Sequence, residues 1–522
     1  MPRRRRIGPL AAAFQAAAFH DFMIEFAPTC REMHTDVLVI GCGAAGATAA
    51  MTARAAGAEV LVIDSAPYRH RGGNSRVCGQ IVFWPDDVAQ VEAYFRAMAG
   101  PYMDHISDAL VSTWAMGMHA NRAWLEGLGM QVEEVQSVEY PDLPGSGCVH
   151  VLLHRKGPYG QARLWDEVIE PAFARAGLAV THDTRATRLE KTGDAVSGVL
   201  ALGPDGPVRI HSRRAVVLAC GGFENDHSMV RTYLTDMPLC HPLGTPYNTG
   251  DGIRMAMQAG AELWHMNNIA GPFLAFKAPE LPVSARLGAL RAHSYLYVAG
   301  DAKRFVSESA NFLVRNGRQL SPIKHGKILQ NGRYVQYPCP APMFIVFDET
   351  VRRAGALCSR AAGFEFCWDV IQGDLYQWSA DNSREVGRGW ILRGDSIADI
   401  AGQIGLEAAT LTDTVARFNA LCAAGIDTEW QRPAATLAPL AQPPYYAMPL
   451  TPSMLNTQGG PVHNEHAQVI GVDGRPIPRL YAAGELGSIY SYRYQAGANL
   501  GECFAFGRIA GNRAAAEPPL QG

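Results

Sequence analysis

A glycine-rich hexapeptide set between two apolar runs limits the folds open to this chain more than any other feature. Gly41-Cys42-Gly43-Ala44-Ala45-Gly46 follows the aliphatic stretch Asp36-Val37-Leu38-Val39-Ile40 and opens an alanine-rich segment that reads as helix to Ala56. Glu59-Val60-Leu61-Val62-Ile63-Asp64 then has the character of a second buried strand, which completes a βαβ unit. In such a unit the first glycine makes the tight turn, the second lets the backbone approach a pyrophosphate, and the third lets helix pack on strand. The unpaired N–H groups and dipole of the helix N-terminus favour the phosphates there. Asp64 ends the second strand about 20 residues on, where a carboxylate accepts hydrogen bonds from ribose hydroxyls. Ser65 stands beside it as a further contact.

The expected fold class follows from this start. It is α/β, a three-layer Rossmann-like dinucleotide domain with a parallel sheet and a small antiparallel meander, plus an inserted α+β substrate or cap domain. Asp87 to Leu128 reads as mainly helical and Gln161 to Ala176 as another helix. Ala179–His182 and Ala186–Leu189 read as strand, with Ala186 near the nucleotide, and Val196 to Ile210 as the meander. Arg214–Ala219 is a buried strand ending at Gly221-Gly222. From about Ala270 the βαβ rhythm disappears, and it returns at Leu480-Tyr481-Ala482-Ala483-Gly484-Glu485, followed by a helix from about Asn499 to Ala515. The expected division is 34–270 with 442–516 as the dinucleotide domain and 271–441 as the inserted cap, with the site in the cleft between them.

Residues 1–33 are expected to be a disordered extension. Arg3-Arg4-Arg5-Arg6 and the apolar residues after it imitate an export signal, but Gln15, His20 and Asp21 interrupt the apolar stretch. The eleven cysteines include no CxxC pair, which argues against zinc, iron–sulfur or c-type haem centres and for a reducing, cytoplasmic compartment, with export as the alternative. A formal charge of -3 gives no basic stripe for nucleic acid, and no run of about 20 apolar residues suggests a transmembrane helix.

Three further segments carry cofactor chemistry: the loop Arg71-Gly72-Gly73-Asn74-Ser75, the crossing Val216 to Phe223, and Pro476 to Glu485 with Asn499-Leu500-Gly501-Glu502 after it. In this order they resemble the flavoprotein subunits of the fumarate reductase and succinate dehydrogenase superfamily, including 3-ketosteroid dehydrogenases and tricarballylate dehydrogenase. The resemblance runs from Thr35 to Arg513. It implies FAD, with Glu485 on the ribityl chain and the backbone of Asn499 and Leu500 at the pyrimidine edge. It also implies non-covalent binding, because the loop that carries an attachment histidine in the superfamily reads Gly72-Gly73-Asn74-Ser75-Arg76 here. His70 lies just upstream of it.

The same resemblance leaves the substrate open. At the two positions where fumarate reductases grip dicarboxylates with histidine and arginine, this chain has Asn456 and Tyr494, and Arg493 sits one residue away. A phenol in place of a bidentate arginine lowers the odds of a C4-dicarboxylate. Tyr494 resembles the flavin-side tyrosines of ketosteroid dehydrogenases and suits a proton carrier or a donor to an enolate oxygen. The stretch Lys303 to Arg318 is most similar to tricarballylate dehydrogenase. The place of the proton-donating arginine holds Phe312, which leaves Arg315 as the candidate substitute. His241, His265 and His463 read as ordinary polar residues. The expected partners are a small-molecule substrate and an unidentified electron acceptor or donor. The expected activity is dehydrogenation or reduction of a carbon–carbon bond next to a ketone or carboxylate. The alternatives are an enzyme acting on a polycarboxylate and an electron-transfer subunit awaiting an iron–sulfur partner.

Overall fold

The computed structural model describes residues 30–155, 159–160, 163–288, 290–308, 313–315, 318–320, 323–324, 326–330, 333–358, 364–365 and 376–520. Most of the extension 1–33 therefore lies outside the described residues.

The first sheet grows from strands buried on both faces. β1 (Arg31–Ile40) pairs in parallel with β2 (Val60–Ile63), which pairs in parallel with β3 (Val180–Thr181). The antiparallel meander is β4 (Arg185–Thr192), β5 (Ala195–Gly203) and β6 (Gly206–Leu218). β6 lies in parallel register with β1, Val37 to Ile40 opposite Ala215 to Leu218. The strand Pro476–Ala482 lies parallel on the other side of β6, with Val216 opposite Leu480.

Alternation along β1 divides the core into two layers. Val37 and Val39 pack with α1 (Ala44–Ala55) and the terminal helix Ala498–Ala516, while Leu38 and Ile40 pack with Val196, Val199 and Ala201 of the meander. The two helices approach closely because Gly507 and Gly511 face α1, where added Cβ atoms would lie 2.8 Å from Ala45 O and 2.3 Å from Ala49 O.

A second sheet of seven strands takes the order Ala285–Arg286, Phe273–Phe276, Tyr445–Met454, Met343–Asp348, Tyr295–Ala299, with His241–Pro242 and Leu392–Gly394 also on Tyr445–Met454. Tyr445–Met454 is the central strand of this sheet. The mainly helical stretch expected over 87–128 comprises Val88–Ala99, Asp108–His119 and Asn121–Gly127, with the first helix ending at Gly100-Pro101. Gly100 adopts φ +55°, and proline lacks the N–H that would continue the helix.

The terminal helix buries an acid. Glu502 accepts hydrogen bonds from Ser488 Oγ (2.6 Å) and Ile489 N (3.0 Å), and burial pushes its carboxyl up to about 7. A raised carboxyl pKa stabilises the fold fully below the unfolded value of about 4.5 and loses that contribution as pH rises through about 7. Urea titrations are expected to show Glu502→Gln removing a decline of about 2 to 3 kcal/mol between pH 5 and 8. Parallel curves for the two proteins would contradict the buried, protonated acid.

Candidate active site

The glycine turn is sterically obligatory. Gly41 has φ +95°, and a Cβ there would lie 2.4 Å from Ala219 O; one at Gly46 would lie 1.9 Å from Gly41 O. Gly43 is different, because its extended backbone suits any residue and the atoms nearest its Cβ position are Ser75 Oγ at 3.3 Å and Gly72 O at 3.8 Å. It caps α1 without a side-chain hydrogen bond, so the N-terminal dipole opens onto a cleft, and Ala44 N donates to Ser75 Oγ at 2.9 Å. Across the turn, Asp64 accepts Cys42 N at 2.7 Å and Ala66 N at 2.8 Å, which ties the loop to the end of β2. Burial raises the Asp64 pKa, against the lowering effect of those two bonds.

The cleft encloses about 810 Å³, open mouth included. Gly41, Gly43, Ala45, Asp64, Ser65, Gly73, Asn74, Ser75, Ala186, Gly221 and Glu485 line it. Gly46, Gly72, Gly222 and Gly484 are instead places where a Cβ would strike neighbours: Trp165 at 2.9 Å for Gly72, Thr457 Oγ1 at 2.0 Å for Gly222 and Ala45 Cβ at 2.8 Å for Gly484. They permit the close packing that shapes the cleft. Asn499 and Leu500 begin the terminal helix, away from this end of the cleft.

A buried carboxylate is the main feature that sequence reasoning missed. Glu224 is fully buried and accepts from Asn74 Nδ2 (2.9 Å), Asn248 Nδ2 (2.8 Å) and Thr457 Oγ1 (3.2 Å). Asn74 Nδ2 also donates to Glu485 Oε2 at 3.0 Å, so one amide bridges two acids. Burial raises the pKa of both, and for Glu485 the charge of Glu224 adds to it. The signal available was a glutamate directly after Gly221-Gly222-Phe223, just beyond the buried strand end Ala215–Leu218.

Tyr494 is buried, with its ring edge on Tyr490 at 5.6 Å, and its hydroxyl accepts Asn499 N at 3.3 Å, next to the N-terminus of the terminal helix. Burial pushes its phenol well above 10. Asn456 is buried beside Thr457, pairs across strands with Ala270, and donates to the Thr457 carbonyl at 2.9 Å. Arg315 lies on the short strand Leu313–Arg315 with its backbone opposite Arg318, and its side chain, like Phe312, lies outside the described residues. Arg493 donates to Ala97 O at 2.7 Å. His241, His265 and His463 are each pushed down to about 4 by burial, hence neutral. His70 Nδ1 lies 2.6 Å from Tyr247 Oη.

Whether a flavin suits this site is tested by the polar atoms left over. Both amide atoms of Gln458, Ser491 Oγ and Asn499 Oδ1 are buried without a hydrogen-bond partner. Asn499 is one of the two residues expected at the flavin pyrimidine edge, and Gln458 and Ser491 lie in the segments that carry Asn456 and Tyr494. Buried polar groups are almost always paired, so these atoms fit a bound polar ring. The uncapped helix N-terminus and the carboxylate of Asp64 fit the rest of the dinucleotide.

Known proteins point the same way. A probable fumarate reductase of Shewanella frigidimarina is 27% identical over 92% of this chain and 75% of its own. A 4-oxocyclohexanecarboxylate 2-dehydrogenase of Sinomonas cyclohexanicum is 26% identical over 92% of this chain and 93% of its own. The crystal structure of 3-ketosteroid Δ1-dehydrogenase from Sterolibacterium denitrificans, in complex with 1,4-androstadiene-3,17-dione, superposes with a TM-score of 0.70 at 21% identity, covering 92% of this chain and 99% of that one, which demonstrates a common fold. The sequence profile for the FAD binding domain matches residues 36–500, most of the chain, and the protein therefore belongs to the FAD binding domain family.

Proposed function

We propose that this FAD-dependent oxidoreductase adds or removes hydrogen across a carbon–carbon bond next to a ketone or carboxylate. The observation that carries the reading is the Tyr494 phenol, buried and held at a helix N-terminus. Bound FAD supplies a two-electron acceptor or donor for hydride. The chain's own groups handle the proton and the oxygen. With its pKa raised, Tyr494 stays protonated across neutral pH and suits a hydrogen-bond donor to a developing enolate oxygen. The helix N-terminus beside it favours negative charge at that point.

In this reading Gly41, Gly43 and the loop Gly72 to Ser75 receive the pyrophosphate, Asp64 and Ser65 the ribose, Glu485 the ribityl chain, and Asn499 and Leu500 the pyrimidine edge. The second sheet supports a substrate-binding cap inserted into a Rossmann-like domain. FAD is held without a covalent bond. Among the described residues all ten cysteines are free thiols, in keeping with a reducing compartment, and no helix is long and apolar enough to cross a membrane.

The purified protein is expected to be yellow and to release its FAD on acid precipitation. Anaerobic mixing with a panel of cyclic ketones, 3-ketosteroids and tricarboxylates should bleach the flavin with at least one member. Colour retained in the acid pellet would refute non-covalent binding, and an unbleached flavin across the panel, together with no reoxidation of reduced flavin by the matching enones and enoates, would refute the reaction class.

A further inference from the structure

Of the three cationic side chains buried among the described residues, two are paired with acids. Arg304 is paired with Glu308 and Asp427, both at 2.7 Å, and Arg432 with Glu308 at 3.4 Å. Lys327 is only 7% exposed, yet its ammonium donates to the neutral Gln336 Oε1 at 2.8 Å and lies 5.2 Å from the centroid of the Tyr492 ring. Among the described residues, the one charge acting on it is a second cation, Arg493, whose guanidinium is also 5.2 Å from that ring. Burial first, and Arg493 second, lower its pKa to about 8. A desolvated ammonium with no acid beside it among the described residues is unfavourable unless an anion arrives to pair with it.

The position of this pair connects it with the site. Gly326 is wedged against the segment entering Ala270, so tightly that a Cβ would lie 1.5 Å from Gly271 O, and this fixes the backbone of Lys327 at that point. Ala270 pairs with Asn456, and Tyr492 is two residues from Tyr494. Lys327 therefore stands where the segments of Asn456 and Tyr494 meet a strand contributed from residues 327–330.

We propose that Lys327, assisted by Arg493, anchors a carboxylate of the substrate, which makes that substrate an organic acid. This rests on the flavin-dependent reading above and narrows it. It also accounts for the missing dicarboxylate grips at positions 456 and 494: a single cationic anchor from another part of the chain serves a substrate that needs one carboxylate held, with the reacting bond left to Tyr494.

The test uses FAD-loaded enzyme, with 4-oxocyclohexanecarboxylate and its methyl ester as probes, titrated anaerobically against the flavin spectrum in wild type, Lys327→Gln and Lys327→Arg. The acid is expected to bind wild type more tightly than the ester. Lys327→Gln should weaken the acid about 30-fold or more, as for other desolvated charge pairs, and leave the ester unchanged. Lys327→Arg should restore part of the difference and guards against a folding defect. An acid-to-ester ratio unchanged by Lys327→Gln overturns the anchor. So does reduction of the flavin by neutral ketones while the acid neither binds nor reacts, a result that leaves the flavoenzyme reading intact. Binding of the acid that depends on Lys327 but transfers no electrons, here or across the wider panel, keeps the anchor and sinks the reaction class.

Discussion

Gly43→Val is expected to give a folded, colourless protein. The backbone at Gly43 is φ -85° and ψ -167°, within reach of valine, and the nearest atom to its Cβ is the movable Ser75 hydroxyl at 3.3 Å. The fold therefore tolerates the change. The branched side chain would instead occupy the space in front of the uncapped α1 N-terminus, where the pyrophosphate must come within hydrogen-bond distance of backbone N–H groups. Flavin absorbance after purification should be close to zero while the far-ultraviolet circular dichroism stays native. Gly46→Ala provides the contrast, because its Cβ would lie 1.9 Å from Gly41 O and the damage falls on the packing of helix on strand. A Gly43→Val protein with stoichiometric FAD would mean that the phosphates bind elsewhere.

Tyr494→Phe is expected to retain FAD and to lower the rate of flavin reduction by substrate roughly 10²- to 10⁴-fold, the range for loss of general acid–base or oxyanion assistance. Substrate affinity should move little, since the hydroxyl acts on charge that develops only during the reaction. A tyrosine that merely packs against Tyr490 and accepts Asn499 N would behave differently: phenylalanine would remove one hydrogen bond, worth about 1 kcal/mol, and leave turnover nearly normal. Stopped-flow reduction of the two proteins separates these outcomes, and equal rates would remove Tyr494 from the chemistry.

What could be read from the chain follows the range of the interactions involved. The phosphate turn was legible because its constraint is local: Gly41 must turn and Gly46 must let α1 approach, both within six residues. The terminal helix was legible for a similar reason, expected from Asn499 to Ala515 and found at Ala498–Ala516. Glu224 was not, because its meaning lies in Asn74 and Thr457, 150 and 233 residues away, which no periodicity encodes. Lys327 was invisible for the opposite reason: what marks it is that no acid among the described residues stands beside a buried ammonium, and that appears only once the segments are folded together.

The placement of the strand Pro476–Ala482 against β6 has a bearing on how the cofactor is acquired. While the ribosome is still translating the middle of the chain, the phosphate turn, β1 to β6 and Asp64 have already emerged, but Ala483, Glu485 and Cys503, which close the cleft on its far side, do not yet exist. The cleft is thus completed only after synthesis of nearly the whole polypeptide. Until then only the Val216–Leu218 end of that edge of β6 is without a neighbour, because Gly206–His211 already pairs with β5, which leaves a short stretch of open N–H and C=O groups rather than a full strand edge.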